Sequence, residues 1–176
     1  QKKIPDDVIL VFRHHPLRTQ GLEKLEGLRF VILDTVQPRD LPGPGDPEGD
    51  RVDFVHKFNS LYYSEMVVTT LVTIVLDAVA LDKPVVSLAF DGKKKYPYAK
   101  SLRRMFSGAC LDWSEVAKCG GMRMVFSPEE FARAVNEYLG DSSSDSGGRA
   151  CIRRRFVGPR DGSSSDRLAD AILTHI

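Results

Sequence analysis

Two short stretches carry residue types that can handle an anion or a sugar hydroxyl. The first is His14-His15-Pro16, directly after the apolar run VILVFR at residues 8–13. The second is Thr69, Thr70, Thr73 and Asp77, threaded through a stretch nearly all apolar from Met66 to Phe90 and followed by Asp91-Gly92. Imidazole titrates near neutrality, so a histidine can donate to a diphosphate or serve as general acid or base. Threonine hydroxyls beside the unpaired N–H groups of a helix start favour phosphate. A carboxylate four residues on shares that helical face and is placed to accept hydrogen bonds from sugar hydroxyls. Each feature also has a plain structural explanation: a loop histidine with one satisfied hydrogen bond, a capping threonine, an aspartate favoured in the N-terminal half of a helix. Which applies depends on where the backbone puts them.

The stretch from Met66 to Phe90 does not read as a membrane span, because Asp77, Asp82, Lys83 and Pro84 interrupt it and charges near the centre of a spanning helix are costly. Its composition predicts a strand over 66–70, a helix over 72–81 that Pro84 bars from continuing, and a strand over 85–89. Strands apolar on both faces belong inside a parallel sheet, and a βαβ unit is the usual way to build one. Further strands are expected over 8–13, 28–33 and 122–126, and helices over 52–63, 98–105 and from 164 onward. Ser127-Pro128-Glu129-Glu130 marks a helix start, with Ser as N-cap, Pro in the first turn and Glu closing a capping box; that helix is expected to run to about Leu139. The Pro- and Gly-rich segment 38–50 reads as a loop and GDSSSDSGGR, 140–149, as a flexible surface segment. The alternation predicts an α/β fold, a Rossmann-like parallel sheet with helices on both faces, formed by residues 1–176 as one domain. In such sheets ligands bind outside the carboxyl ends of the strands, where both chemical stretches fall.

Composition fits this class. The chain has 176 residues, 42% of them hydrophobic, and a formal net charge of +1. The near-zero charge argues against nucleic-acid binding; Lys93–Lys95, Arg103-Arg104 and Arg153–Arg155 read as solvated faces, with an acidic ligand or an anionic membrane surface the minority assignment for Lys93–Lys95. The three cysteines, Cys110, Cys119 and Cys151, show neither CxxC spacing nor a His-rich partner segment, so free thiols in a reducing cytosol are expected rather than a zinc site or disulfide framework.

In order and spacing, "VILVFRHHP", "YSEMVVTTLVTIVLDAVALDKPVVSLAFDG", "GGMRMVFSPEEF" and "DGSSSDRLADAI" resemble the C-terminal half of GT-B-fold transferases of bacterial surface-polymer synthesis. The nearest likeness is to the CDP-glycerol glycerophosphotransferase-like and surface-carbohydrate-biosynthesis group; UDP-N-acetylglucosamine 2-epimerase is more distant. The resemblance implies a nucleotide-activated sugar or polyol donor held in the cleft between two Rossmann-like halves, and an inverting transfer that needs no bound metal or other cofactor. The N-terminal half would be a partner not contained in this chain, so the chain alone is expected to be inactive, and the setting would be cytoplasmic, at the inner face of the membrane. Carried over by position, His15 is the catalytic residue near the donor phosphates and Asp77 the acidic group near the donor's sugar. Thr73 matches the second member of a Ser-Thr pair. Arg13, Thr70, Asp91, Gly92 and Ser164 complete the donor-binding set, the last from the turn Asp161-Gly162 before the final helix. Ser163 with Asp166 could instead cap that helix. Two positions depart from the family pattern: Val72 stands where a serine is usual, and Asp112 where a histidine is expected ahead of the Gly120-Gly121 turn. These departures motivate the rival expectation, a noncatalytic Rossmann-like interaction domain; a UDP-sugar 2-epimerase-like enzyme is the third.

Overall fold

The computed structural model describes residues 4–14, 20–34, 47–92, 96–106 and 111–174. The chain divides into two units, Gln1–Ser60 and Leu61–Ile176, both built on parallel strands. In the first, β1 (Leu10–Arg13) and β2 (Val31–Asp34) pair in parallel, Leu10 opposite Val31 and Arg13 opposite Asp34. Helix α1 runs Pro47–Tyr63, five residues earlier than the apolar spacing predicts, because Pro47 is well suited to a first helical turn. The unit boundary falls inside α1.

The second unit holds a three-stranded parallel sheet in the order β3 (Val67–Thr69), β4 (Val85–Leu88), β5 (Arg123–Val125). Thr69 lies opposite Ser87, and Leu88 opposite Val125. The central strand β4 is buried from Val85 to Ser87, which explains why it is apolar on both faces. Helix α2 (Ile74–Ala80) returns from β3 to β4 and buries Val75, Ala78 and Val79, the one-face spacing of an amphipathic helix. These meet Leu71, Val85, Met122, Val116 of α3 (Leu111–Lys118) and Ile152 of α5 (Ser146–Ile152) in one core cluster. Val86 points the other way by strand alternation, and α4 (Pro128–Gly140) packs on β4 and β5 while burying Ala134, Val135 and Tyr138. The N-cap of α4 forms as expected: Ser127 Oγ accepts from Glu130 N at 3.1 Å. The returning bond comes one residue early, since Glu130 accepts from Phe126 N at 2.8 Å. Helix α6 (Ser164–Thr174) closes the described chain and has no buried residue.

Several expectations are corrected. Residues 98–105 form two short 3₁₀ turns, Tyr98–Lys100 and Leu102–Phe106, rather than one helix, because Ser101 between them is extended at φ −82°, ψ 143°. The Ser-rich segment 140–149 is structured. Asp141 accepts from Ser143 N at 2.9 Å and from the Ser143 and Ser144 hydroxyls, and α5 starts at Ser146. Arg149, only 1% exposed, donates to Asp82 Oδ1, Ser144 O and Ser142 O at 2.9, 2.7 and 2.9 Å. A serine run offers no apolar group to bury, so sequence alone gives no sign of this ordering; it comes from one arginine satisfying loop carbonyls. The free-thiol expectation fails for two cysteines, since Cys119 and Cys151 form a disulfide with Cα atoms 5.7 Å apart across 32 residues. The pairing follows from α5 lying beside the turn after α3, a tertiary contact that no spacing rule encodes. Cys110 lies outside the described residues.

Ser87 is fully buried and its hydroxyl has no hydrogen-bond partner among the described residues. An unpaired buried hydroxyl costs about 1–3 kcal/mol. Ser87→Ala is therefore expected to leave stability unchanged or to raise it by about 1 kcal/mol, read as the midpoint of a urea titration; a clear loss would mean that the hydroxyl has a partner.

Candidate functional site

The carboxyl edge of the β3–β4–β5 sheet gathers most of the residues singled out by their chemistry. Thr69 ends β3, and Thr70 to Thr73 turn into α2. Val72 N donates to Thr70 O at 2.9 Å, and Leu76 N to Thr73 O at 2.9 Å. Leu71 is buried in the core while Val72 and Thr73 are exposed, so a single apolar anchor turns the next two side chains outward. Thr73 occupies the N-cap position at φ −55°, ψ −24° and makes no capping hydrogen bond with its side chain. Its backbone is already helical, whereas side-chain caps use an extended N-cap residue. The capping explanation for Thr73 is thereby removed. Asp77 follows in the first turn of α2 and is exposed, on the same helical face as Thr73.

The loop after β4 leaves the same edge. Asp91 Oδ1 accepts from Leu102 N at 2.7 Å, and the hydrogen bond from the Ser101 hydroxyl, followed by that from Leu102 N–H, holds its carboxyl below the usual aspartate range. Asp91 thus fastens the 3₁₀ turn at Leu102–Phe106 onto the sheet edge. Gly92 takes φ +70°, a left-handed conformation that glycine adopts without steric cost. Thr70, Thr73, Asp77, Asp91 and Gly92 therefore share one edge of one sheet.

The remaining expected site residues are placed otherwise. Arg13 lies in the first unit, where it pairs with Asp34 at 3.0 Å and with Asp53. Asp34 also meets His56 Nε2 at 2.9 Å. Burial alone would raise the Asp34 pKa, but the hydrogen bonds from His56 and Arg13 outweigh it and keep the carboxyl ionised below its ordinary range. Arg13 is thus engaged by two carboxylates of its own unit. His14 is buried at the end of β1; His15 and Lys93–Lys95 lie outside the described residues. Ser164 opens α6 and its hydroxyl accepts from Arg167 Nη2 at 3.2 Å. Asp161, rather than a Ser163–Asp166 pair, organises that turn: it accepts from Ser163 N at 3.0 Å and from Arg167 Nη1 at 2.9 Å. The hydrogen bond from Arg167 is the main cause of its lowered pKa.

Sequence reasoning gave Asp82 no role, and the structure supplies one. At φ 59° it takes a left-handed conformation that aspartate tolerates. Its carboxylate receives Arg149 Nε at 2.9 Å and Arg153 Nη1 at 2.6 Å. Partial burial pushes its pKa up, and the hydrogen bonds from Arg153 and Arg149 pull it further down. The only sequence signal for this latch was a charge in an otherwise apolar run, with no partner named. Val72 is 39% exposed, so the departure from serine leaves an apolar side chain facing solvent at the turn; Asp112 falls within α3.

Among the described residues, no group of three or more His, Cys, Asp or Glu side chains could hold a metal ion, and no helix is long and apolar enough to cross a membrane. The family model described as CDP-glycerol:poly(glycerophosphate) glycerophosphotransferase matches residues 1–174. No curated protein and no solved structure matches the chain.

Proposed function

Because the protein belongs to the CDP-glycerol:poly(glycerophosphate) glycerophosphotransferase family, matched over residues 1–174, we propose that it is the donor-binding half of a transferase that moves glycerol phosphate from CDP-glycerol to a growing teichoic-acid-type polymer. The observation that supports this reading best is the outward-facing Thr73 hydroxyl, which caps nothing, one helical turn from the exposed Asp77. Transfer of glycerol phosphate from CDP-glycerol requires a hydroxyl at the end of the acceptor to attack the glycerol-bearing phosphorus. The bond from that phosphorus to the bridging oxygen breaks, and CMP leaves. Thr70 and Thr73 donate hydrogen bonds to diphosphate oxygens. Asp77 accepts from the glycerol hydroxyls and fixes their direction. His15 takes the proton of the attacking hydroxyl or donates to the leaving phosphate, and Gly92 leaves room for the donor above the sheet edge. Arg13 and Ser164 belong to the donor set only if ligand binding draws them from their present ion-pair and hydrogen-bond partners. An N-terminal half with its own Rossmann-like sheet holds the reacting end of the acceptor, and the reaction takes place on the cytoplasmic side of the membrane. The chain by itself binds donor without turning it over.

The test is thermal protection. A ligand at a hundred times its Kd stabilises the form that binds it by about 2.7 kcal/mol, a rise of several degrees in Tm for a domain of this size. CDP-glycerol should give that rise and glycerol 3-phosphate should not. The absence of any shift at millimolar CDP-glycerol would favour the noncatalytic interaction domain, the reading supported by exposed Val72.

A further inference from the structure

Beyond the sheet edge, the second unit has an open cleft of about 460 Å3 lined by Ala150, Arg153, Arg154, Gly158, Pro159 and Arg160. Arg153 and Arg154 reach it from a single π-helical turn, Arg153–Val157, a local geometry that recurs at functional sites. The turn ends at Gly158, whose N–H donates to Arg153 O at 2.8 Å. Gly158 sits at φ 81°, ψ −167°, a region essentially restricted to glycine, and Pro159 and Arg160 after it also line the cleft. The charge here is unbalanced. Arg149 and Arg153 share the single carboxylate of Asp82, whereas neither Arg154 nor Arg160 has an ion-pair partner among the described residues. Arg160 Nη1 donates to Ala80 O and Arg153 Nη1 to Val79 O, so two guanidinium groups are positioned by the last carbonyls of α2 and keep further N–H groups for a ligand. Arg154 is exposed between them in sequence and has no structural hydrogen bond among the described residues. Arginine's planar fork matches tetrahedral phosphate oxygens, and the cleft volume is in the range of small-molecule sites, about 300–1,000 Å3. Because the cleft is open, a chain can continue past its mouth.

We propose that this cleft binds a phosphodiester unit of the polymeric acceptor, separately from the donor edge, holding the chain by its charge. The identity of the polymer rests on the function proposed above; the phosphate chemistry of the cleft does not. The experiment titrates a fluorescent glycerophosphate oligomer with the full chain, with inorganic phosphate and phosphatidylglycerol vesicles as competitors, and follows CDP-glycerol protection in parallel. Oligomer binding should weaken with salt. Loss of one charge-assisted contact in Arg154→Gln should lower affinity about tenfold, with Arg154→Lys in between and CDP-glycerol protection unchanged. Arg160→Gln should act in the same direction if it folds, and circular dichroism checks that. Oligomer affinity equal in wild type and Arg154→Gln, no oligomer binding at all, or preferential binding to the vesicles would overturn the proposal. If CDP-glycerol fails to protect while oligomer binding still depends on Arg154, the donor reading falls and the phosphate cleft stands.

Discussion

Gly148→Ala and Gly121→Ala are each expected to destabilise the second unit by about 3 kcal/mol or more, with the folded fraction collapsing at urea concentrations the wild type tolerates. A Cβ on Gly121 would lie 2.5 Å from Arg149 N and Gly148 C. A Cβ on Gly148 would press on Gly120 C and O and Gly121 N. Every atom met is backbone, so no side chain can rotate away; relief requires α5 to move off the turn after α3. That movement would withdraw fully buried Ile152 from the core, carry Arg149 away from Asp82, and pull on the Cys119–Cys151 link. Gly147→Ala is the control. It sits one residue away in the same helix with nothing within 4 Å of its Cβ, so it should be neutral or gain up to about 1 kcal/mol of helix propensity. Equal midpoints for Gly147→Ala and Gly148→Ala would show that the two backbones do not touch as described.

Asp77→Ala is expected to weaken CDP-glycerol binding tenfold or more while leaving the unfolding midpoint within about 0.5 kcal/mol of wild type. The effect on stability is small because Asp77 is exposed and the packing of α2 rests on Val75, Ala78 and Val79. The effect on ligand is large because removing an acceptor from ligand hydroxyls forfeits hydrogen bonds to a charged group, about 1.5–3 kcal/mol. Thr73→Val keeps the side-chain shape and removes one hydroxyl, and should cost affinity in the same direction by a smaller factor. Val72→Ser runs the other way, since it adds a hydroxyl at the exposed position beside Thr73, where the family resemblance leads one to expect a serine, and should tighten binding. Isothermal titration of the four proteins measures the order Val72→Ser, wild type, Thr73→Val, Asp77→Ala; an unchanged affinity in Asp77→Ala would remove this aspartate from the donor site.

The βαβ unit was legible because its signals are local and agree. Two short apolar runs flank a helical spacing, and Pro84 marks the break between α2 and β4. The start of α4 was legible for the same reason, through Ser127, Pro128 and Glu130. What escaped was set by contacts distant in sequence. Arg149 reads as a polar residue after two glycines, and only the fold shows that it reaches back 67 positions to Asp82. Cys119 and Cys151 carry no spacing signature, and Gly148 looks like a flexible linker residue until Gly121 is seen against it. At the candidate site, residue type and helical spacing put Thr73 and Asp77 on one face, but whether Thr73 serves as a cap was a question of its backbone angles. Arg13 shows the opposite limit: the resemblance placed it in the donor-binding set, while the structure shows it at the end of β1 paired with Asp34 and Asp53.

The most direct measurement is an amide chemical-shift titration of the isotopically labelled chain with CDP-glycerol. If the sheet edge holds the donor, the largest saturable shifts should fall on Thr69 to Asp77 and on Asp91 and Gly92, and Asp77→Ala should move their saturation to a ligand concentration at least tenfold higher. Saturable shifts that avoid these residues, or none at millimolar ligand, would contradict the placement of the donor at this edge.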